Sequence, residues 1–395
     1  MKTVLKIFLL SIVSFVGMSA QEQINVVKVL GNVDKIGPES RAWISSEYQE
    51  IVLYPHATTQ EGETLLTTDT NATTKKIKVK ALYDGKNIVF LLEWEDITKN
   101  IQYNCCSMNK ADGFTLQFPV NYSDVTKLPY IRMGNQGRSV VSYMKRAKDI
   151  ISQEDVEVSF QNLPEYNDTF NATSQSQQNK DNGQVFMTAG FDSIKKLDQS
   201  AMLSVMSYQN STWKSSLSMP LKTNYLNLDN GAFPISFVVW DGNSSNGVEY
   251  ISPWIGVKLF GQIDGDALIN LLNVEPSGNI ENGKQLAIEN CAGCHNFAQT
   301  RMAPQNMAPN LSYVGGYSTI DYLKESITNP NAVLVTNYHS NAQSNFPWYQ
   351  QNEDGNVTST MPAYDWMDEQ SIDDIVSFLH SLTLQNKTTK EISYE

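Results

Sequence analysis

From about residue 24 to 260, apolar and polar positions alternate mostly with a period of two. From about residue 279 the apolar positions recur at helical spacing. The two-residue period predicts strands over 76–82 and 87–94, separated by Asp84-Gly85, a strong hairpin signal. Further β-rich runs fall at 113–118, 139–144, 201–208, 233–240 and 248–257. Turn clusters such as Asp181-Asn182-Gly183 and Asp241-Gly242-Asn243 punctuate them. Many short strands spaced this way predict an antiparallel sandwich or barrel. The stretch 161–183 is rich in Asn, Gln and Ser and reads as a long surface insertion.

The helical part is predicted over 280–290, 319–328 and 368–382. The middle helix is ended by Asn329-Pro330. In the last helix Ile372, Ile375, Val376, Phe378 and Leu379 share one broad face. Acids fill its first turn, where the helix dipole favours them. The chain therefore reads as multidomain: an all-β sandwich over 21–262, a linker over 263–277 and an all-α domain over 278–395.

A chain of 395 residues with 41% hydrophobic and 18% charged positions can bury a core in each unit. Residues 1–20 read as a secretory signal: Lys2 and Lys6 form a basic start, 7–16 is an apolar run too short to span a bilayer, and small residues follow. The expected location is periplasmic or otherwise exported, soluble after cleavage, with no membrane span. The formal charge of −13 repels nucleic acid and suits docking to a basic patch on a protein partner. Only four Cys and four His are present, which excludes a disulfide scaffold and a multi-haem protein ligated by paired histidines.

The sharpest motif is Cys291-Ala292-Gly293-Cys294-His295. Two thiols three positions apart can each add to a haem vinyl group, and the adjacent His295 then binds the iron. The competing reading, a redox dithiol or half a zinc site, lacks further ligands. A sixth ligand is expected at Met361, in Met361-Pro362-Ala363-Tyr364, just before the last helix. Met302, Met307, Met367 and His339 are the rivals. With Pro309-Asn310-Leu311 and the Asn-Pro stop, the region 278–384 resembles class I cytochromes c. The resemblance implies one covalent haem c on Cys291 and Cys294, with His295 and Met361 on its iron.

No hydrolytic triad, phosphate loop or metal cluster is legible in the first 260 residues. There the runs Val79-Lys80-Ala81-Leu82-Tyr83-Asp84-Gly85, Trp94-Glu95-Asp96, Asp112-Gly113-Phe114, Met133-Gly134 and Trp240-Asp241-Gly242 resemble the ethylbenzene dehydrogenase-related haem-binding domain. That is the γ-subunit family of type II molybdenum enzymes in the dimethyl sulfoxide reductase superfamily. The resemblance implies a β-sandwich with room for one non-covalent b-type haem and Met133 as a ligand. The second ligand stays open among Met206, Lys214, Lys222 and none. The vicinal pair Cys105-Cys106 reads as free thiols, a strained disulfide or an intermolecular link.

Together these readings predict an electron-transfer subunit or partner without catalysis of its own. It would exchange electrons with a molybdopterin and iron-sulfur oxidoreductase, or with another cytochrome. Two rivals stay open: a stand-alone respiratory cytochrome whose β-domain docks a partner, and a haem-based sensor or ligand-binding protein.

Overall fold

The structure is a computed structural model. It describes residues 23–57, 75–101, 111–147, 183–190, 193–243, 248–260, 265–297, 300, 302–304, 307–335 and 347–383. The signal expected at 1–20, the insertion before Gly183, Cys105, Cys106 and His339 lie outside the described residues.

Among the described residues, thirteen strands build the first unit: β1 (Gln23–Lys28), β2 (Gln49–Ala57), β3 (Lys75–Tyr83), β4 (Asn87–Glu95), β5 (Gly113–Pro119), β6 (Val140–Arg146), β7 (Gln184–Thr188), β8 (Lys195–Lys196), β9 (Leu203–Gln209), β10 (Thr212–Pro220), β11 (Ala232–Trp240), β12 (Val248–Ile251) and β13 (Ile255–Leu259). One layer runs β8-β7-β6-β5-β11 and the other β2-β3-β4-β10-β9. The layers join where β12 pairs β2, and where β1 runs parallel to both β13 and β3. This is the expected sandwich.

Strand alternation decides what each face does. Phe90, Leu92 and Trp94 from β4 meet Phe114, Leu116 and Phe118 from β5 and Phe233, Phe237 and Val239 from β11, all fully or nearly fully buried. Trp94 stacks on Trp213 at 6.3 Å between ring centroids. The β3–β4 hairpin forms at the anticipated place. Gly85 takes φ +97°, and Asp84 Oδ1 accepts the backbone N–H groups of Lys86 and Asn87 at 2.8 Å. The run expected as one strand over 248–257 is two, β12 and β13, interrupted at Ser252-Pro253, because Pro253 has no N–H to give the ladder. β10 was not anticipated: its serines blur the alternation that Trp213, Leu217 and Met219 make toward the core.

The segment expected as a linker contains a helix, α1 (Gly265–Leu272), with Ile269 buried and set against Gly256 of β13. Among the described residues, four helices follow: α2 (Ile280–Asn290), α3 (Val314–Tyr317), α4 (Ile320–Thr328) and α5 (Glu369–Ser381). The expectation of an all-α domain needs one correction. A two-stranded hairpin, β14 (Tyr349–Gln351) with β15 (Val357–Ser359), lies between α4 and α5.

α2 and α5 cross closely, and the crossing depends on Gly283. A Cβ there would stand 1.8 Å from the Asp374 carbonyl oxygen. Buried Asp374 accepts hydrogen bonds from Asn282 Nδ2 (2.6 Å) and the Asn279 N–H (2.7 Å), which hold its carboxyl below the usual carboxylate range. Caps set both helix starts: Asn279 accepts from the Asn282 N–H, and Asp368 from the Ser371 N–H, each at 3.0 Å.

The two units share an interface. Its floor is the outer face of the first layer, where Met144, Phe186, Val238, Trp240 and Ile251 pack with Tyr317 of α3. Gly316 lies so close to β2 that a Cβ would fall 2.3 Å from the Tyr54 ring. Arg138 donates both terminal nitrogens to Glu325 of α4 at 2.7 and 2.9 Å, and Lys127 reaches the same carboxylate at 2.6 Å. The Gln136 N–H donates to the Leu334 carbonyl at 3.1 Å. No helix among the described residues is long and apolar enough to cross a membrane.

Candidate haem site

α2 delivers the cysteine motif. The chain continues past Asn290 in one more turn, in which the Cys291 N–H reaches the Ala287 carbonyl (2.8 Å) and the His295 N–H reaches the Cys291 carbonyl (2.8 Å). That turn places Cys291, Cys294 and His295 at one helix end. Cys294 is exposed and Cys291 half-buried. Burial, helped by the neighbouring Cys294, pushes the Cys291 thiol up to about 11.

His295 is oriented by its own nearby loop. Its Nδ1 lies 2.8 Å from the Pro309 carbonyl, so the Nδ1–H donates there and Nε2 is left with a lone pair. Burial lowers the pKa of the ring, partly opposed by that hydrogen bond, and favours the neutral form a metal ligand needs. The Pro309 segment is itself held, since the Leu311 N–H donates to the Asn296 carbonyl at 2.8 Å and Asn296 exchanges two hydrogen bonds with Ala303.

Met361 arrives from the other side of the sequence. The Thr360 N–H donates to the Trp348 carbonyl (3.0 Å) and the Tyr364 N–H to the Ile327 carbonyl (2.9 Å), which fixes the residues flanking it. The Tyr364 hydroxyl donates to the Asn290 carbonyl at 2.7 Å and so ties this loop to the helix that carries the cysteines.

His295 and Met361 line one cavity of about 210 Å³. Leu311, Val314, Leu323, Ile327, Val333 and Leu379 make its apolar walls. A soft thioether, a neutral imidazole, apolar walls and two thiols at the end of the adjoining helix fit a covalently attached haem. Of the rivals, Met302 is exposed and Met367 packs into the helical core; neither Met302, Met307 nor Met367 lines the cavity.

Sequence reasoning missed the part of the wall that comes from the β-domain: Pro55 and His56 of β2, and Tyr130 of the loop after β5. No local signal marks them, because only the docking of the two units brings them here. His56 is buried, and its Nε2 lies 3.0 Å from the Tyr130 hydroxyl.

The expected b-haem residues do not assemble. Met133 is buried with Val335 and Trp348 of the helical unit, on the outer side of the first layer. Met206 packs against the sandwich core. Lys214 alternates with the core-facing Trp213 and Ser215, so it points away from that core, where Glu93 (3.3 Å) and Glu39 (3.8 Å) pair with it. Lys222 is exposed. Met133 therefore shares no space with any of the three, and these residues do not fit a haem b.

The structure also gathers carboxylates that the sequence did not join. Oxygens of Asp96, Asp112 and Asp241 lie within 4.8 Å of one another. Asp112 accepts from the Asn100 N–H (2.8 Å), Trp213 Nε1 (3.1 Å) and the Gly242 N–H (2.7 Å), tying β5 to the ends of β4, β10 and β11.

A family model described as ethylbenzene dehydrogenase matches residues 40–252, more than half of the chain. The chain belongs to the ethylbenzene dehydrogenase family. A cytochrome c model matches residues 280–383, which hold the Cys pair, His295 and Met361. The fusion expected from the sequence is therefore present in this family member, and its cytochrome c domain supports haem c, iron and electron transport. No curated protein matches the chain. Among solved structures, it is similar to a carbohydrate binding module family 9 from Caldicellulosiruptor kristjanssonii in complex with glucose. That match has 13% identity and a TM-score of 0.33, covering 62% of this chain and 98% of that one. A putative carbohydrate-binding protein from Bacteroides uniformis is similar at 8% identity and a TM-score of 0.34, covering 60% and 99%. At these TM-scores the likeness carries no argument about this family member.

Proposed function

We propose that this protein is an exported electron carrier that exchanges electrons with a molybdopterin and iron-sulfur oxidoreductase through a single haem c. The observation that carries the reading is the placement of His295 and Met361 on one apolar cavity beside the Cys291–Cys294 turn. Cys291 and Cys294 would hold the haem covalently, and His295 and Met361 would ligate its iron. The haem would supply a one-electron couple, which a thioether ligand raises relative to a second imidazole.

The chain's own residues do the rest. The Pro309 carbonyl holds His295 in the tautomer that leaves Nε2 free. The Tyr364 hydroxyl clamps the Met361 loop to α2. The apolar walls exclude water and so favour the less charged redox state. Membership of the ethylbenzene dehydrogenase family supports a molybdenum-enzyme partner, and the charge of −13 suits docking to a basic surface.

Carbon monoxide and a partner assay test this reading. The reduced protein should bind no carbon monoxide, and mixing it with its partner oxidoreductase should change its haem absorbance at a rate that falls with salt. Ready carbon monoxide binding would instead indicate an open iron position and a sensor.

A further inference from the structure

His56 belongs to the β-domain, yet it stands in the wall of the cytochrome cavity. It is 4% exposed. One face is set by the Tyr317 ring, edge-on at 5.1 Å between centroids, and its Nε2 is engaged by the Tyr130 hydroxyl at 3.0 Å. Its other nitrogen, Nδ1, is buried and has no hydrogen-bond partner. Buried polar atoms almost always have one, so an unmatched ring nitrogen beside a cofactor cavity points to a group that the cofactor brings.

The chemistry of that group follows from the tautomer. The Tyr130–Nε2 hydrogen bond can run in either direction; with the Tyr130 hydroxyl donating, the proton sits on Nδ1, which makes Nδ1 a donor in search of an acceptor. Burial holds the ring neutral, with its pKa lowered to about 4. The wall therefore offers a neutral N–H rather than a cation. Covalent attachment would pin the vinyl edge of a haem at Cys291 and Cys294, neither of which lines the cavity. The opposite edge, which carries the two carboxylates, would then be the one nearer to it. A carboxylate entering such a space needs donors to offset lost hydration.

We infer that the β-domain completes the haem pocket, with His56, steadied by Tyr130, donating its Nδ1–H to a haem carboxylate. This inference rests on the haem c reading of His295 and Met361. It assigns the β-domain a direct role in setting the potential of a haem bound by the other unit.

The test uses the full-length holoprotein and its His56→Phe, His56→Gln and Tyr130→Phe variants. Midpoint potential is measured by optical titration and the haem carboxylate bending modes by resonance Raman. His56→Phe should shift those modes and lower the potential, because an uncompensated carboxylate favours ferric iron. His56→Gln, which keeps an N–H donor, should restore much of both values. Tyr130→Phe removes only a hydroxyl and should give a smaller shift in the same direction, so it reports even if a His56 variant folds poorly. The methionine-to-iron band should persist in all three. Unchanged modes and potential with that band intact would overturn the carboxylate contact and leave the His295–Met361 reading standing. Loss of the band in both His56 variants alone would overturn it too, by showing that His56 holds Met361 in place rather than a haem carboxylate. A wild-type protein without covalent haem would instead sink the underlying reading.

Discussion

Arg138 of the β-domain and Glu325 of the cytochrome domain form a two-point ion pair at 2.7 and 2.9 Å, with both side chains mostly shielded from water. This pair, with Lys127 on the same carboxylate, fixes α4 and hence Tyr322, Leu323 and Ile327 on the cavity wall. Glu325→Ala should cost about 2 kcal/mol, the scale for a charged hydrogen-bonded partner left unmatched. Chemical denaturation followed by haem absorbance checks this. A loss below a few tenths of a kcal/mol would mean that the pair is only decorative.

The same pair gives an acid dependence of definite sign. Hydrogen bonds from Arg138 hold the Glu325 carboxyl below its usual range, with Lys127 adding to the effect and burial opposing it. A lowered folded pKa means that the stabilisation is present above the unfolded value, about 4.3, and is lost as pH falls through the folded one. The difference in unfolding midpoint between wild type and Glu325→Gln should thus be constant at neutral pH and shrink below about pH 4. A difference that grew on acidification would contradict the assignment.

Met133 is buried against Val335 and Trp348, so its sulfur acts as packing. Met133→Leu conserves volume and should cost less than about 1.5 kcal/mol. Its pyridine haemochromogen spectrum and haem-to-protein ratio should match wild type, with haem c only. A b-type signal in wild type that disappears in Met133→Leu would restore the second haem.

Gly316 meets the Tyr54 ring across the interface with no room for a methyl group. Gly316→Ala should push α3 away from β2, at a cost of about 1–3 kcal/mol. Hydrogen exchange should show faster labelling in α3 and β2 together, while β9 and β10 keep their protection. Faster exchange in α3 alone would mean that the two units do not meet there.

The site was legible in proportion to how local its chemistry is. Cys291, Cys294 and His295 occupy a single turn, so their spacing named them, whereas Met361, one short loop before α5, was a candidate that the resemblance to class I cytochromes c singled out among its rivals. His56 and Tyr130 lie 74 positions apart and reach the cavity only through sheet pairing and domain docking. For Met133 the resemblance supplied a role that the packing of this chain does not support. In the fold, the alternation in β4 and the Asp84-Gly85 turn were readable. The serines of β10 hid a central strand, and the Pro253 break in 248–257 was overlooked.

The central claim is a single haem c held between His295 and Met361, and the absorption spectrum of the purified holoprotein tests it most directly. Wild type should give one covalent haem c per chain with a methionine-to-iron band in the oxidised state. Met361→Ala should abolish that band and lower the midpoint potential. A Met361→Ala spectrum indistinguishable from wild type would contradict the account.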